Sequence, residues 1–187
     1  MRIRTGIALL AVAALIGACG GDDDNGGGSV SAGDYARDIC TATSDWVQGI
    51  QTLATDLQQE LPQGASPQEG KEALEGFLGD ALERTETYVS AVDDAGTPDV
   101  DGGDDAAGQI RDAVGEARDI ISDARDQASD LPTDSEQAFS EEADELGNST
   151  RDSLSAVGDA IGDPPEELSN AFQDEEACSQ IGAPGGS

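Results

Sequence analysis

Apolar residues recur at steps of three and four along most of the chain, the spacing that gathers them on one face of an α-helix. From Asp34, the positions Tyr35, Ile39, Ala42, Trp46, Ile50, Leu53, Leu57 and Leu61 form one such stripe, which Pro62 and Gly64 end. Ser66-Pro67-Gln68-Glu69 opens a second helix: serine accepts from first-turn amides, proline carries that turn's φ, and glutamate can complete a capping box. Its stripe runs through Leu74, Phe77, Leu78, Ala81, Thr85, Tyr88, Val89 and Val92 and closes at Gly96. Gly102-Gly103 delay a third helix to about Asp104, after which Ala107, Ile110, Val114, Ala117, Ile121, Ala124, Ala128 and Leu131 make a 3.5-residue seam. That seam predicts a helix central to packing, with Ile110, Val114, Ile121 and Leu131 buried. Arg111, Arg118 and Arg125 flank it every seven residues, each followed by Asp, which suits ion pairs to the acidic face of a neighbouring helix.

Pro132-Thr133-Asp134-Ser135-Glu136 supplies the next stop and capping box, and Phe139, Ala143, Leu146, Thr150, Leu154, Val157 and Ile161 trace a fourth stripe weakened by Gly147 and Gly158. Asp163-Pro164-Pro165-Glu166 opens a short fifth helix with Leu168, Ala171, Phe172 and Cys178 facing inward. No segment alternates apolar and polar residues as a half-buried strand would. The pattern therefore predicts an all-α domain over residues 34–181, an antiparallel up-down four-helix bundle with a short fifth C-terminal helix, followed by a loose tail at 182–187.

Composition then narrows the chemistry. Forty acidic residues stand against nine basic ones, a formal net charge of −31. A polyanion cannot release counterions from phosphates, so nucleic acid is excluded as a partner, and anionic headgroups repel the body of the protein. The chain has no histidine, which removes the usual general base and the commonest transition-metal ligand. Lys71 is flanked by Glu69 and Glu72 in a helical first turn, where it serves as an i,i+4 partner of Glu75 rather than a catalytic base. Gly64 to Lys71 resembles a phosphate-binding loop only superficially: the glycine spacing is wrong, Glu72 stands where Ser or Thr would hold magnesium, and no strand precedes it. Asp99, Asp101, Asp104 and Asp105 around Gly102-Gly103 are weak candidates for a divalent cation. An EF-hand loop begun at Asp99 would need Gly at 104 and Glu at 110, and a solvated acidic turn is the favoured reading. No catalytic residues and no cofactor are assigned. Tyr35 and Trp46 fall on the first stripe, where core packing outweighs a ligand platform.

The N-terminus fixes the compartment. Arg2 and Arg4 precede an apolar run from Gly6 to Gly17 that is too short to span a bilayer, and Gly17-Ala18 are small enough for a peptidase, so residues 1–18 have the makeup of a secretory signal. Ile16-Gly17-Ala18-Cys19 resembles the lipobox of bacterial lipoproteins, and the acidic, Ala/Asp/Gly-rich body is similar to small lipoproteins of high-GC Gram-positive bacteria. The resemblance implies cleavage before Cys19, its S-diacylglycerylation with palmitate-type chains, and anchoring on the extracytoplasmic face of the cell membrane through the lipid only. Residues 19–33 would then be a flexible, acidic Gly/Asp tether, about a dozen residues reaching ~20 Å. An exported compartment is oxidising, so the two remaining cysteines, Cys40 and Cys178, are expected to pair as a terminal clasp. In an up-down bundle the end of the fourth helix returns to the start of the first, where such a pair must meet.

The function expected from these features is a non-enzymatic envelope interaction or scaffolding module, acting on an unidentified envelope protein or ligand. The alternative is a carrier of an apolar small molecule or a weak cation-binding envelope protein. A cavity bordered by Trp46, Phe77, Phe139 and Phe172 would favour the carrier.

Overall fold

The computed structural model describes residues 28–61, 64–160 and 163–181. They form β1 (Ser29–Val30), α1 (Ala32–Glu60), α2 (Pro67–Asp94), β2 (Thr97–Pro98), α3 (Gly103–Ala128), α4 (Glu136–Ala160), α5 (Glu166–Asp174) and α6 (Glu176–Ile181). The protein is predominantly helical, and Cys40 in α1 is disulfide-bonded to Cys178 in α6, with Cα atoms 4.9 Å apart. Cys19, the signal segment, Pro62, Ile161 and the tail at 182–187 lie outside the described residues.

Local sequence accounts for the helix starts. The Ser66 hydroxyl accepts from the Glu69 amide at 3.3 Å and a Glu69 carboxylate oxygen accepts from the Ser66 amide at 2.8 Å, the reciprocal box the motif predicts. At α4 the expected box is only half formed. Ser135 accepts from the Ala138 amide at 3.1 Å, and alanine in the third helical position has no side-chain acceptor to return. The first helix starts at Ala32 rather than Asp34, because Ser31 accepts from the Asp34 amide at 3.1 Å and so takes the cap.

Two expectations are corrected, one near each end of the described chain. Ser29 and Val30 pair in parallel with Thr97 and Pro98, so the last residues of the segment expected to be tether over 19–33 belong to β1 and the start of α1, and a two-strand pairing accompanies the helices. Two-residue strands carry no alternation that a sequence could show; the pairing is set by backbone groups, continued by the Asp99 amide donating to the Val30 carbonyl at 2.8 Å. The expected single fifth helix is also two: Glu175 adopts an extended conformation between α5 and α6, and the Cys178 amide donates to its carbonyl.

Successive helices pack on one another, α1 on α2, α2 on α3 and α3 on α4, and α1 is additionally covered by α5 and α6. The core has two parts. One gathers Tyr35 and Ile39 of α1, Val92 of α2, Ala107 and Val114 of α3 and Leu168 of α5. The other joins Leu78 of α2, Ala124 and Ala128 of α3, Leu131 of the α3–α4 connection and Leu146 of α4. Since α2 and α3 contribute to both, they share the central position expected of the third helix alone. Val114, Ile121 and Leu131 are buried as the seam predicts, but Ile110 is only half-buried, because it lines a hollow that it shares with Asp163–Pro165 and Phe172. The arginine series also departs from expectation. Arg111 reaches Asp93 on α2 at 3.7 Å, whereas Arg118 and Arg125 pair with the adjacent Asp119 and Asp126 of their own helix.

Close approach at the α2–α3 junction depends on glycine. A Cβ on Gly103 would lie 2.1 Å from the Pro98 carbonyl oxygen, a backbone atom that the β1–β2 pairing holds. Gly96, at φ +76°, turns the chain out of α2 and would bring a Cβ within 2.7 Å of the Gly28 carbonyl oxygen. Gly103→Ala is therefore expected to cost about 3 kcal/mol in chemical denaturation. Gly108→Ala, in the same helix with nothing within 4 Å of the new methyl, should instead be neutral or stabilising by about 0.5–1 kcal/mol. Equal effects at the two sites would refute the close-approach account.

Candidate functional site

The helical spacing that lays Trp46 on α1 also sets it opposite Tyr88 on α2. Their rings stack with centroids 5.5 Å apart and planes 20° from parallel. Two threonines hold the pair. Thr43 donates to the Ile39 carbonyl at 2.7 Å, which uses its only proton, so the Tyr88 hydroxyl donates to Thr43 Oγ1 at 2.9 Å. Thr85, fully buried, donates to the Ala81 carbonyl at 2.8 Å and accepts from Trp46 Nε1 at 2.9 Å. Burial pushes the Tyr88 phenol above its ordinary pKa. Both rings are half-buried, so the stack is pinned from below and open above.

Above it lies a hollow of about 200 Å³ lined by Asp45, Trp46, Arg84, Thr87 and Tyr88, with Ala42 and Ala91 as its small-residue floor. Ala42, Asp45 and Ala91 also line a second hollow that runs toward Arg37 and Asp94, and Arg84 and Thr87 line a third that runs toward Leu53, Asp80 and Glu83. The three are thus one groove along the α1–α2 seam. Arg84 can lie across it because Gly49 has no side chain: a Cβ there would stand 3.0 Å from Arg84 Cδ.

The clasp end has different chemistry. Tyr35 is fully buried, meets Phe172 edge-on at 6.3 Å, and its hydroxyl has no hydrogen-bond partner among the described residues. Burial raises its pKa, with the nearby Arg111 charge acting against the rise. Arg111 itself donates to the Gly96 carbonyl, tying α3 to the turn after α2. A hollow of about 330 Å³ beside it is lined by Asp105, Gln109, Ile110, Asp163, Pro165 and Phe172.

The acidic candidates do not converge. Asp99, Asp101, Asp104 and Asp105 are all exposed around the α3 N-terminus, and no group of three or more His, Cys, Asp or Glu among the described residues is placed to hold a metal ion. The four aromatic residues proposed to border one cavity are dispersed as well: Phe172 packs at the clasp end, Phe77 and Phe139 at the opposite core, and Trp46 in the groove. Lys71 forms the expected pair with Glu75 at 3.8 Å and also donates to the Ser129 carbonyl, where a cation meets the C-terminal end of α3. Among the carboxylates, Asp34 is held below its ordinary pKa by hydrogen bonds from Ser31 and Arg37, and Glu69 by the Ser66 amide and hydroxyl. A lowered folded-state value means that these caps contribute fully above the unfolded carboxylate pKa and lose their effect as pH falls through the folded one.

No family model, curated protein or solved structure matches the chain.

Proposed function

We propose that the protein is a lipid-anchored, non-enzymatic cell-envelope lipoprotein whose helical domain is an interaction or scaffolding module held on the extracytoplasmic face of the membrane. The observation that carries this reading is Ile16-Gly17-Ala18-Cys19 at the close of a short apolar segment with a basic start. The disulfide between Cys40 and Cys178 supports it, since such bonds persist in oxidising, exported compartments. The absence of histidine and the scattered acidic candidates favour binding over catalysis.

Within this reading α1 to α4 form an up-down antiparallel set. Supporting it, Trp46 reaches Thr85 and Tyr35 clusters with Val92, so contacts between α1 and α2 run in opposite directions. The same reading implies an orientation. β1 leads the chain into the end that holds the disulfide, so this end faces the lipid and the connection between α1 and α2 points away from it.

Cys19→Ala is expected to abolish metabolic labelling with a palmitate analogue and to leave the protein unprocessed or shed into the medium. Intact-mass analysis of the membrane fraction gives the decisive reading: a mature species with an unmodified Cys19 would end the lipoprotein proposal.

A further inference from the structure

The groove along α1 and α2 has more charge and more aromatic surface than packing requires. Asp45, Asp80, Glu83 and Asp94 line it, and none of the four has a cationic side chain within salt-bridge distance among the described residues. They are spread along the seam rather than gathered at a point. From Asp80 to Asp94 the helix rises ~21 Å, and an extended chain covers that distance in about six residues. Midway stands the Trp46–Tyr88 stack, whose π-faces attract a cation most strongly where a carboxylate such as Asp45 lies beside them.

We propose that this groove is a docking site for an extended cationic peptide segment of a partner protein, with one arginine or lysine side chain seated over Trp46 and Tyr88 against Asp45. The flanking acids take up basic side chains further along the segment. Arg84, which has no carboxylate within salt-bridge distance among the described residues, donates to the segment's backbone carbonyls. The length of the groove and the spacing of its acids favour a peptide over a single small cation. The inference extends the interaction-module reading without needing the lipid: binding would stand if Cys19 proved unmodified, and its failure would leave the labelling result untouched.

Trp46 is the only tryptophan in the chain, so tryptophan fluorescence, excited selectively over tyrosine, reports on this groove alone. The full-length protein in nonionic detergent, at physiological salt, is titrated with a six-residue peptide of alternating arginine and serine. A saturable one-site fluorescence change is expected, and by calorimetry Asp45→Asn with Asp94→Asn should weaken binding about tenfold. The control removes the same charge from another acidic hollow, beside Leu131, with Glu142→Gln and Glu145→Gln; its effect should stay under about twofold. Equal losses in the two pairs would show diffuse attraction to a polyanion and overturn the proposal. So would absence of binding, or binding that leaves Trp46 fluorescence unchanged. Spermine matching the peptide in affinity and fluorescence change would make the groove a polyamine site and overturn the peptide occupant.

Discussion

The Cys40→Ser/Cys178→Ser variant is expected to lose about 4–5 kcal/mol of unfolding free energy. The bond joins residues 138 apart in sequence, so in the unfolded chain it closes almost the whole domain into one loop, and removing it restores the entropy of that loop. Cys40 is buried near the start of α1, and Cys178 lies on α6, a helix of six residues with little apolar surface of its own. Two outcomes are therefore distinguishable. If the crosslink acts on the unfolded ensemble, the urea midpoint falls for the entire transition and far-ultraviolet and tryptophan signals shift together. If it only fastens α6, the main transition stays within about 1 kcal/mol and limited proteolysis removes the C-terminus alone. The first is expected, because α5 has an anchor of its own in Leu168, which is fully buried in the cluster that α1, α2 and α3 build.

How much of this was visible in the sequence depends on how each feature is encoded. Helices α1 to α4 announce themselves through three-four spacing repeated over many turns and through Ser66-Pro67-Gln68-Glu69, where backbone and side-chain chemistry agree. The disulfide is legible because two separate expectations, an oxidising compartment and an even number of long helices, both point to Cys40 and Cys178. What the sequence conceals is set by single backbone contacts. The pairing of Ser29–Val30 with Thr97–Pro98 involves no side-chain pattern, and Gly103 gives no sign that a carbonyl oxygen would lie 2.1 Å from its Cβ. The arginine series misleads for a related reason. Each arginine is followed by aspartate, and the nearest carboxylate is within easy reach of a flexible side chain, so Arg118 and Arg125 take it instead of crossing to another helix. The groove was half legible. Trp46 and Tyr88 fall on stripes that predict core, and they are core on one face; the signal for the open face is Ala42 and Ala91, whose small side chains keep the seam from filling.

Replacing Ile121 with Ala should cost about 2–5 kcal/mol, and replacing Ile110 about 1 kcal/mol, although both lie on the same seam of α3. Ile121 is 5% exposed and sits between the residues that α3 contributes to the two parts of the core, Val114 on one side and Ala124 on the other. Its loss removes apolar contact from a buried position on α3, the helix on which both α2 and α4 pack, and helices locked by their other contacts cannot collapse to fill the space. Ile110 faces the open hollow at Asp163–Pro165, where truncation removes less buried surface and leaves no enclosed cavity. The difference between the two costs is the informative quantity, since it cancels whatever residual structure the unfolded chain retains around α3. Urea denaturation of both variants checks it. Losses within about half a kcal/mol of each other would mean that burial along α3 is uniform, and the division of the core into two parts bridged by α2 and α3 would be wrong.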